Sequence, residues 1–213
     1  MSITITKTWV DGEQLTAADL NATFQEVATA LPAASQSDVN SGVASTVGLV
    51  PSHNLIIFGT EVATTSGTAV AFPSIPSGVR RIVINFVGVS TSGTNDLILT
   101  LGDAGGLETS GYLGACTTIA GATPSTSNYT AAFGLADAVT AASVIHGSVT
   151  LNLEDAADFT WCCTSILAYS NAATVSIGAG SKSLSAILTQ LSITTVGGTD
   201  TFDAGVINIS YAR

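Results

Sequence analysis

The chain of 213 residues and 21.3 kDa is long enough for one full-sized domain, or one domain with a small appendage. Its residues are 46% hydrophobic but only 9% charged, against about 25% charged in an ordinary soluble domain, and 30 Thr with 24 Ser imply a hydroxyl-rich surface. A net charge of −10 with five Lys and Arg in all excludes the clustered cations that nucleic-acid binding or attachment to anionic lipid requires.

The N-terminus Met1 to Trp9 has no charged region followed by an apolar run, so no signal peptide is expected. Residues 1–34 read as an attachment or oligomerisation segment containing a helix over 16–31. Thr16 is placed to cap it, and Asp19 stands where a capping box has its reciprocal acid. Leu15 and Leu20 occupy the positions of a hydrophobic staple, and Pro32 ends the pattern. Leu20, Phe24, Val27 and Leu31 recur at the 4–3–4 spacing of a short coiled-coil seam. A helix this short is marginal alone in water, so it needs a partner surface: its own domain, copies of itself or another protein. Residues 35–54, rich in Ser, Ala, Gly and Asn, read as a linker.

From Leu55 to Arg213 the chain predicts a mainly β domain of ten strands: 55–58, 68–72, 81–89, 96–101, 112–119, 144–153, 159–169, 174–177, 187–196 and 206–211. Ile82, Ile84 and Phe86 alternate with polar or smaller neighbours, as do Val149, Leu151 and Leu153. Turn chemistry separates the runs at Ser66-Gly67, Pro76-Ser77-Gly78, Gly105-Gly106 and Gly197-Gly198. With no crossover helices between strands, an antiparallel β-sandwich of jelly-roll type is expected over 55–213. The uncharged run 159–181 contains too many hydroxyls and glycines for a membrane helix, so no membrane insertion is expected.

The chemistry-bearing residues are sparse. Cys116, Cys162 and Cys163 are odd in number, and two are adjacent, which predicts free thiols rather than a disulfide framework. His53 and His146 stand alone, so no metal centre is expected. The pairs Asp103 with Glu108, Glu154 and Asp155 with Asp158, and Asp200 with Asp203 fall in turn contexts and read as turn formers. Oxygens of Asp96, Asp103 and Glu108 form a lesser candidate for a loop cation. No cofactor motif and no catalytic constellation is evident, so no enzyme activity is expected. Loops on a rigid scaffold are the usual binding elements. Among the aromatic candidates for stacking on a glycan, Tyr129 within Ser125–Thr130 has the most loop-like context, with Asn128 beside it and Tyr112 as a further candidate. Trp161, in an apolar run, reads as core.

Two segments carry a family resemblance. Lys7-Thr8-Trp9-Val10-Asp11-Gly12-Glu13-Gln14-Leu15-Thr16-Ala17-Ala18-Asp19-Leu20-Asn21 resembles the N-terminal segment of tailed-phage fibre and minor structural proteins. The stretch from Ile75-Pro76-Ser77-Gly78 through Leu101-Gly102-Asp103-Ala104-Gly105-Gly106 to Tyr112, with the ending Thr201-Phe202-Asp203-Ala204-Gly205, is similar to C-terminal domains of phage tail fibres. The resemblance implies a homotrimeric virion component, assembled in the host bacterial cytoplasm. In it, Trp9, Leu15, Leu20, Phe24, Val27 and Leu31 contact the particle or sister chains. The β-domain recognises a glycan or protein on the host surface. A capsid decoration, cement or head-fibre protein is the alternative, and a non-viral adhesin module a second one.

Overall fold

The computed structural model describes residues 56–213. The attachment segment, the helix over 16–31 with Trp9, Leu15, Leu20, Phe24, Val27 and Leu31, and the linker lie outside the described residues. Within them the chain is mainly β, with every strand pairing antiparallel and no helix.

Fourteen strands follow one another among the described residues: β1 (Ile57–Phe58), β2 (Val62–Ala63), β3 (Ala69–Phe72), β4 (Arg81–Thr91) and β5 (Leu97–Asp103) come first. Next come β6 (Gly106–Leu107), β7 (Leu113–Ala120), β8 (Thr123–Tyr129), β9 (Phe133–Ala136) and β10 (Ile145–Asp155). The last four are β11 (Thr160–Tyr169), β12 (Thr174–Ser183), β13 (Gln190–Thr195) and β14 (Phe202–Ala212). A nine-stranded sheet runs β1-β14-β4-β10-β11-β12-β7-β8, with β2 also on β14. A five-stranded sheet runs β3-β13-β5-β6, with β9 on β5.

The pairing is nested. β1 joins β14, β3 joins β13, β4 joins β10, and β5 joins β9, so early strands meet late ones in reverse order. The ladders β14–β4 and β13–β5 then fuse these pairs into the two sheets. The hairpins β11–β12 and β7–β8 extend the larger sheet beyond β10.

Period-two alternation explains why these segments pair as they do. In β4, Ile82, Ile84 and Phe86 are buried while Arg81, Asn85 and Val87 are exposed. They join Val149, Leu151, Ile207 and Ile209 of the large sheet, and Val70, Leu97, Leu99, Leu101, Leu191 and Ile193 of the small one, in a single buried cluster. Burial of each such side chain contributes roughly 1.5–3 kcal/mol against leaving it in water. At the far end of β14 the register slips twice, between Phe202 and Val206. Gly205 sits there at φ +92, and a Cβ on it would lie 2.4 Å from the Gly88 carbonyl carbon. Only glycine fits that crossing.

All ten predicted strands are present, with shifted ends. One expectation is corrected: Ser125–Tyr129, read as a loop, lies in strand β8. Its Thr, Ser and Asn side chains gave no hydrophobic alternation. Its place is set by backbone pairing along β7, from Gly114 opposite Tyr129 to Ala120 opposite Thr123. Strands β2, β6 and β9 were also unpredicted, being two to four residues long.

Candidate functional site

The most distinctive surface is the outward face of the large sheet. Outward positions line up in cross-strand rows. One row runs Asn208, Asn85, Ser148, Ile166, Ile177, Thr117 and Thr126 from β14 to β8. The next runs Ser210, Val83, Thr150, Thr164, Ala179, Ala115 and Asn128. Neither row holds a charged side chain, although the described residues include ten Asp and Glu. Large apolar side chains stand exposed on this face: Leu113 at 74%, Ile166 at 62%, and Ile177, Val87 and Ile119 beside them. Hydroxyl pairs fill the gaps, such as Thr117 with Thr126 at 2.8 Å and Thr160 with Ser183 at 2.7 Å. The outward side of β11 carries Thr160, Cys162, Thr164, Ile166 and Ala168, uncharged throughout.

The predicted stacking residues are placed differently from one another. Tyr112 is 1% exposed and Tyr129 is 9% exposed, so neither ring presents a face to a ligand within this domain. Tyr112 packs edge-on against Phe133, with centroids 4.9 Å apart. Its hydroxyl accepts a hydrogen bond from the Leu101 amide at 2.7 Å and lies 3.0 Å from the Glu108 carbonyl, to which it donates. Burial pushes the Tyr112 hydroxyl up to about 12. Tyr129 donates to Asp96 Oδ2 at 2.9 Å, and burial, followed by that carboxylate, raises its pKa strongly. The loop-like context of Tyr129 and the strand-end position of Tyr112 misled because a buried tyrosine needs only one polar partner, which sequence does not show. Asn128 is exposed and joins the outward face at its free edge. Trp161 is buried in the core, as its apolar run predicts.

The carboxylates distribute into separate structural clusters. Asp96 accepts from Tyr129 and from the Ala138 amide at 3.0 Å; burial raises its pKa, and nearby Asp137 adds to this. Asp137 accepts from Ser125 at 3.2 Å and Ser127 at 3.1 Å, while its carbonyl takes the hydroxyls of Thr118 and Tyr169. Asp137 was missed in the sequence because its four partners come from β7, β8 and β11. Asp103 and Glu108 do meet, at one residue. Ser185 Oγ donates to Asp103 Oδ2 at 2.6 Å, and its amide donates to Glu108 Oε1 at 2.7 Å. Asp103 also accepts from the Gly105 amide at 2.7 Å, and these bonds, the Ser185 hydroxyl foremost, hold its carboxyl below the usual range.

Glu108 pairs with the buried Lys182, whose ammonium lies 5.6 Å from the Tyr112 ring centroid. Burial pushes Glu108 upward, but Lys182 and Ser185 outweigh it and leave its pKa lowered. Asp96 is engaged elsewhere, so the three oxygens considered for a loop cation are not gathered. Among the described residues no group of three or more His, Cys, Asp or Glu is arranged to hold a metal ion. Asp200 accepts from both the amide and the side chain of Asn95, Asp203 from Ser90, and Asp155 from the Ala157 amide. Asp155 makes a local turn bond as expected, whereas Asp200 and Asp203, read as turn formers, tie together segments more than 100 residues apart, Asp203 from within β14.

His146, half-buried in β10, accepts from the Gly88 amide at 3.3 Å. All three cysteines are free. Cys163 faces the core and burial raises its thiol pKa, Cys116 is buried and pushed up to about 11, and Cys162 points outward. No helix among the described residues is long and apolar enough to cross a membrane. Comparison with protein-family models, curated proteins and solved structures finds no significant match.

Proposed function

We propose that this chain is a structural component of a tailed-phage virion, a short trimeric tail fibre. Its N-terminal segment attaches it to the particle, and its β-domain meets the host surface. The observation that carries the reading is the pair of central cross-strand rows on the outward face of the large sheet, which hold no charged side chain. Copies that each bear ten negative charges in excess repel one another, so they can pack closely only where charge is absent. Seven strands about 4.8 Å apart, each with about eight residues at about 3.3 Å, make a whole face on the order of 800 Å², in which the two uncharged rows form the middle and Arg81 stands at the margin. A standard-size protein interface buries about that much per partner. The segments around Trp9 and Ile75 that resemble phage fibre proteins point the same way.

The two sheets are read here as the layers of a jelly-roll-like sandwich. Its eight strands would be β1, β3, β4, β5, β9, β10, β13 and β14, nested first with last. The oligomer is tested by sedimentation equilibrium of the full chain. A species of about 64 kDa, three times 21.3 kDa, is expected. A stable monomer overturns the reading. Antibody labelling of particles from the phage that encodes the chain is expected to mark the tail; labelling spread over the capsid favours the decoration alternative.

A further inference from the structure

At one end of the domain three connectors line a half-open cavity of about 200 Å³. The β3–β4 connector supplies Ile75, Val79 and Arg80, the β10–β11 turn supplies Ala156 and Phe159, and the β12–β13 connector supplies Ile187 and Leu188. Trp161 forms part of the wall, and apart from Arg80 every lining side chain is apolar. The walls are tied together by backbone hydrogen bonds: the Ile75 amide donates to Thr189 at 2.8 Å, the Leu153 amide to Arg80 at 2.8 Å, and the Leu184 amide to Phe159 at 3.2 Å. The space is therefore formed before any ligand arrives. Ile187 remains 58% exposed at its mouth.

The charge around this cavity is unusual for so acidic a chain. The Arg80 amide donates to the Ala212 carbonyl and Ala212 pairs in register with Arg81. Arg80, Arg81 and Arg213 thus have neighbouring backbone positions at the same end, and of the three Arg80 lines the cavity. Among the described residues the one other cation, Lys182, is buried against Glu108, just after β6, and forms the one ion pair. The acids of the nearby turn do not line the cavity, and Asp155 is spent on the Ala157 amide.

We infer that this cavity is a binding site for a small carboxylate with an apolar body of about one ring. The body would sit against Trp161, Phe159 and Leu188, and the carboxylate would meet the Arg80 guanidinium at the rim. The size excludes a drug-sized ligand, which needs roughly 300 Å³ or more. Two sources offer this chemistry: a free aromatic or branched acid, and the last residue of a peptide with a free C-terminus. The inference is independent of the assembly reading.

The test titrates the full chain with 3-phenylpropanoate and with its neutral amide, following the Trp161 indole N–H resonance. Saturable binding is expected for the acid, at least about tenfold weaker for the amide and for the acid on an Arg80→Gln variant, the factor that losing a charged hydrogen bond predicts. Ala156→Phe, at an exposed turn position, fills the mouth and is expected to abolish the response. A Gly-Gly-Phe peptide with a free C-terminus distinguishes the sources: tighter binding than the free acid identifies a peptide end, weaker binding a free acid. The inference is overturned if neither acid saturates, if the amide binds as well as the acid, or if Arg80→Gln or Ala156→Phe binds undiminished.

Discussion

The ring of Tyr129 lies directly over the backbone of Gly134, so close that a Cβ there would stand 2.3 Å from ring carbon Cε2. This contact seats the end of edge strand β8 on β9 and aims the Tyr129 hydroxyl at Asp96. Gly134→Ala is expected to cost about 3 kcal/mol, the upper range for overpacking. Tyr129→Phe keeps the ring and removes one hydrogen bond to a carboxylate, for an expected loss of about 1–2 kcal/mol. Urea denaturation of both variants checks the order; a larger loss for Tyr129→Phe would show that the hydroxyl, not the close packing, dominates.

The outward face of the large sheet gives a sharper test of assembly than mass alone. Ile166 and Ile177 stand opposite each other in register. Ile166→Glu places a charge at the centre of the face without touching the core. Dissociation to a 21.3 kDa species is expected in sedimentation velocity, with the monomer's thermal stability little changed. An oligomer that persists in this variant moves the interface to another surface.

Acid should weaken the corner where β5, β6 and β12 meet. The pKa values of Asp103 and Glu108 are lowered in the folded domain, so their stabilisation is complete above the ordinary carboxylate range and fades as pH falls through the folded values. Asp96 is raised and acts in the opposite sense: its contribution is present below the ordinary range and is lost as pH rises through the folded value. Thermal unfolding from pH 3 to 8 is expected to show a shallower acid decline for Glu108→Gln. For Asp96→Asn, which keeps an oxygen for Tyr129, stability is expected to hold level or rise at pH 7. A steeper acid decline in Glu108→Gln would contradict the pairing with Lys182.

Thiol labelling reads both packing and assembly. Cys163 and Cys116 are buried with raised pKa values, and the thiolate is the reactive form. The native chain is expected to react with iodoacetamide at Cys162 alone, and all three sites to react after denaturation. Since Cys162 lies on the outward face, opposite Ser181, its labelling should be slower in the oligomer than in Ile166→Glu. Mass spectrometry of the labelled peptides decides; equal rates would leave that face uncovered.

The positions of the long strands were legible because Ile82–Ile84–Phe86 and Val149–Leu151 repeat every second residue and bury one side. β8 was illegible because Thr123–Tyr129 offers hydroxyls on both sides and depends on β7 for its place. Tyr112 and Tyr129 looked like surface aromatics because their partners, Leu101 and Asp96, lie in another strand or at its edge. The outward face was half visible: the run 159–181 is uncharged in the sequence, but only the register shows that Ile166, Ile177 and Ala179 share a side.

Strand β14 lies between β1 and β4 and supplies Ile207 and Ile209 to the core. Until Phe202–Ala212 has left the ribosome, β4 has only β10 as a neighbour, and its other ladder stays unmade. The nascent domain therefore waits, with open strand edges, for its final eleven-residue strand, and closes late, across long sequence separations. Folding in vitro should accordingly be slow for a domain of this size, and a chaperone that shields those edges during synthesis would raise the yield.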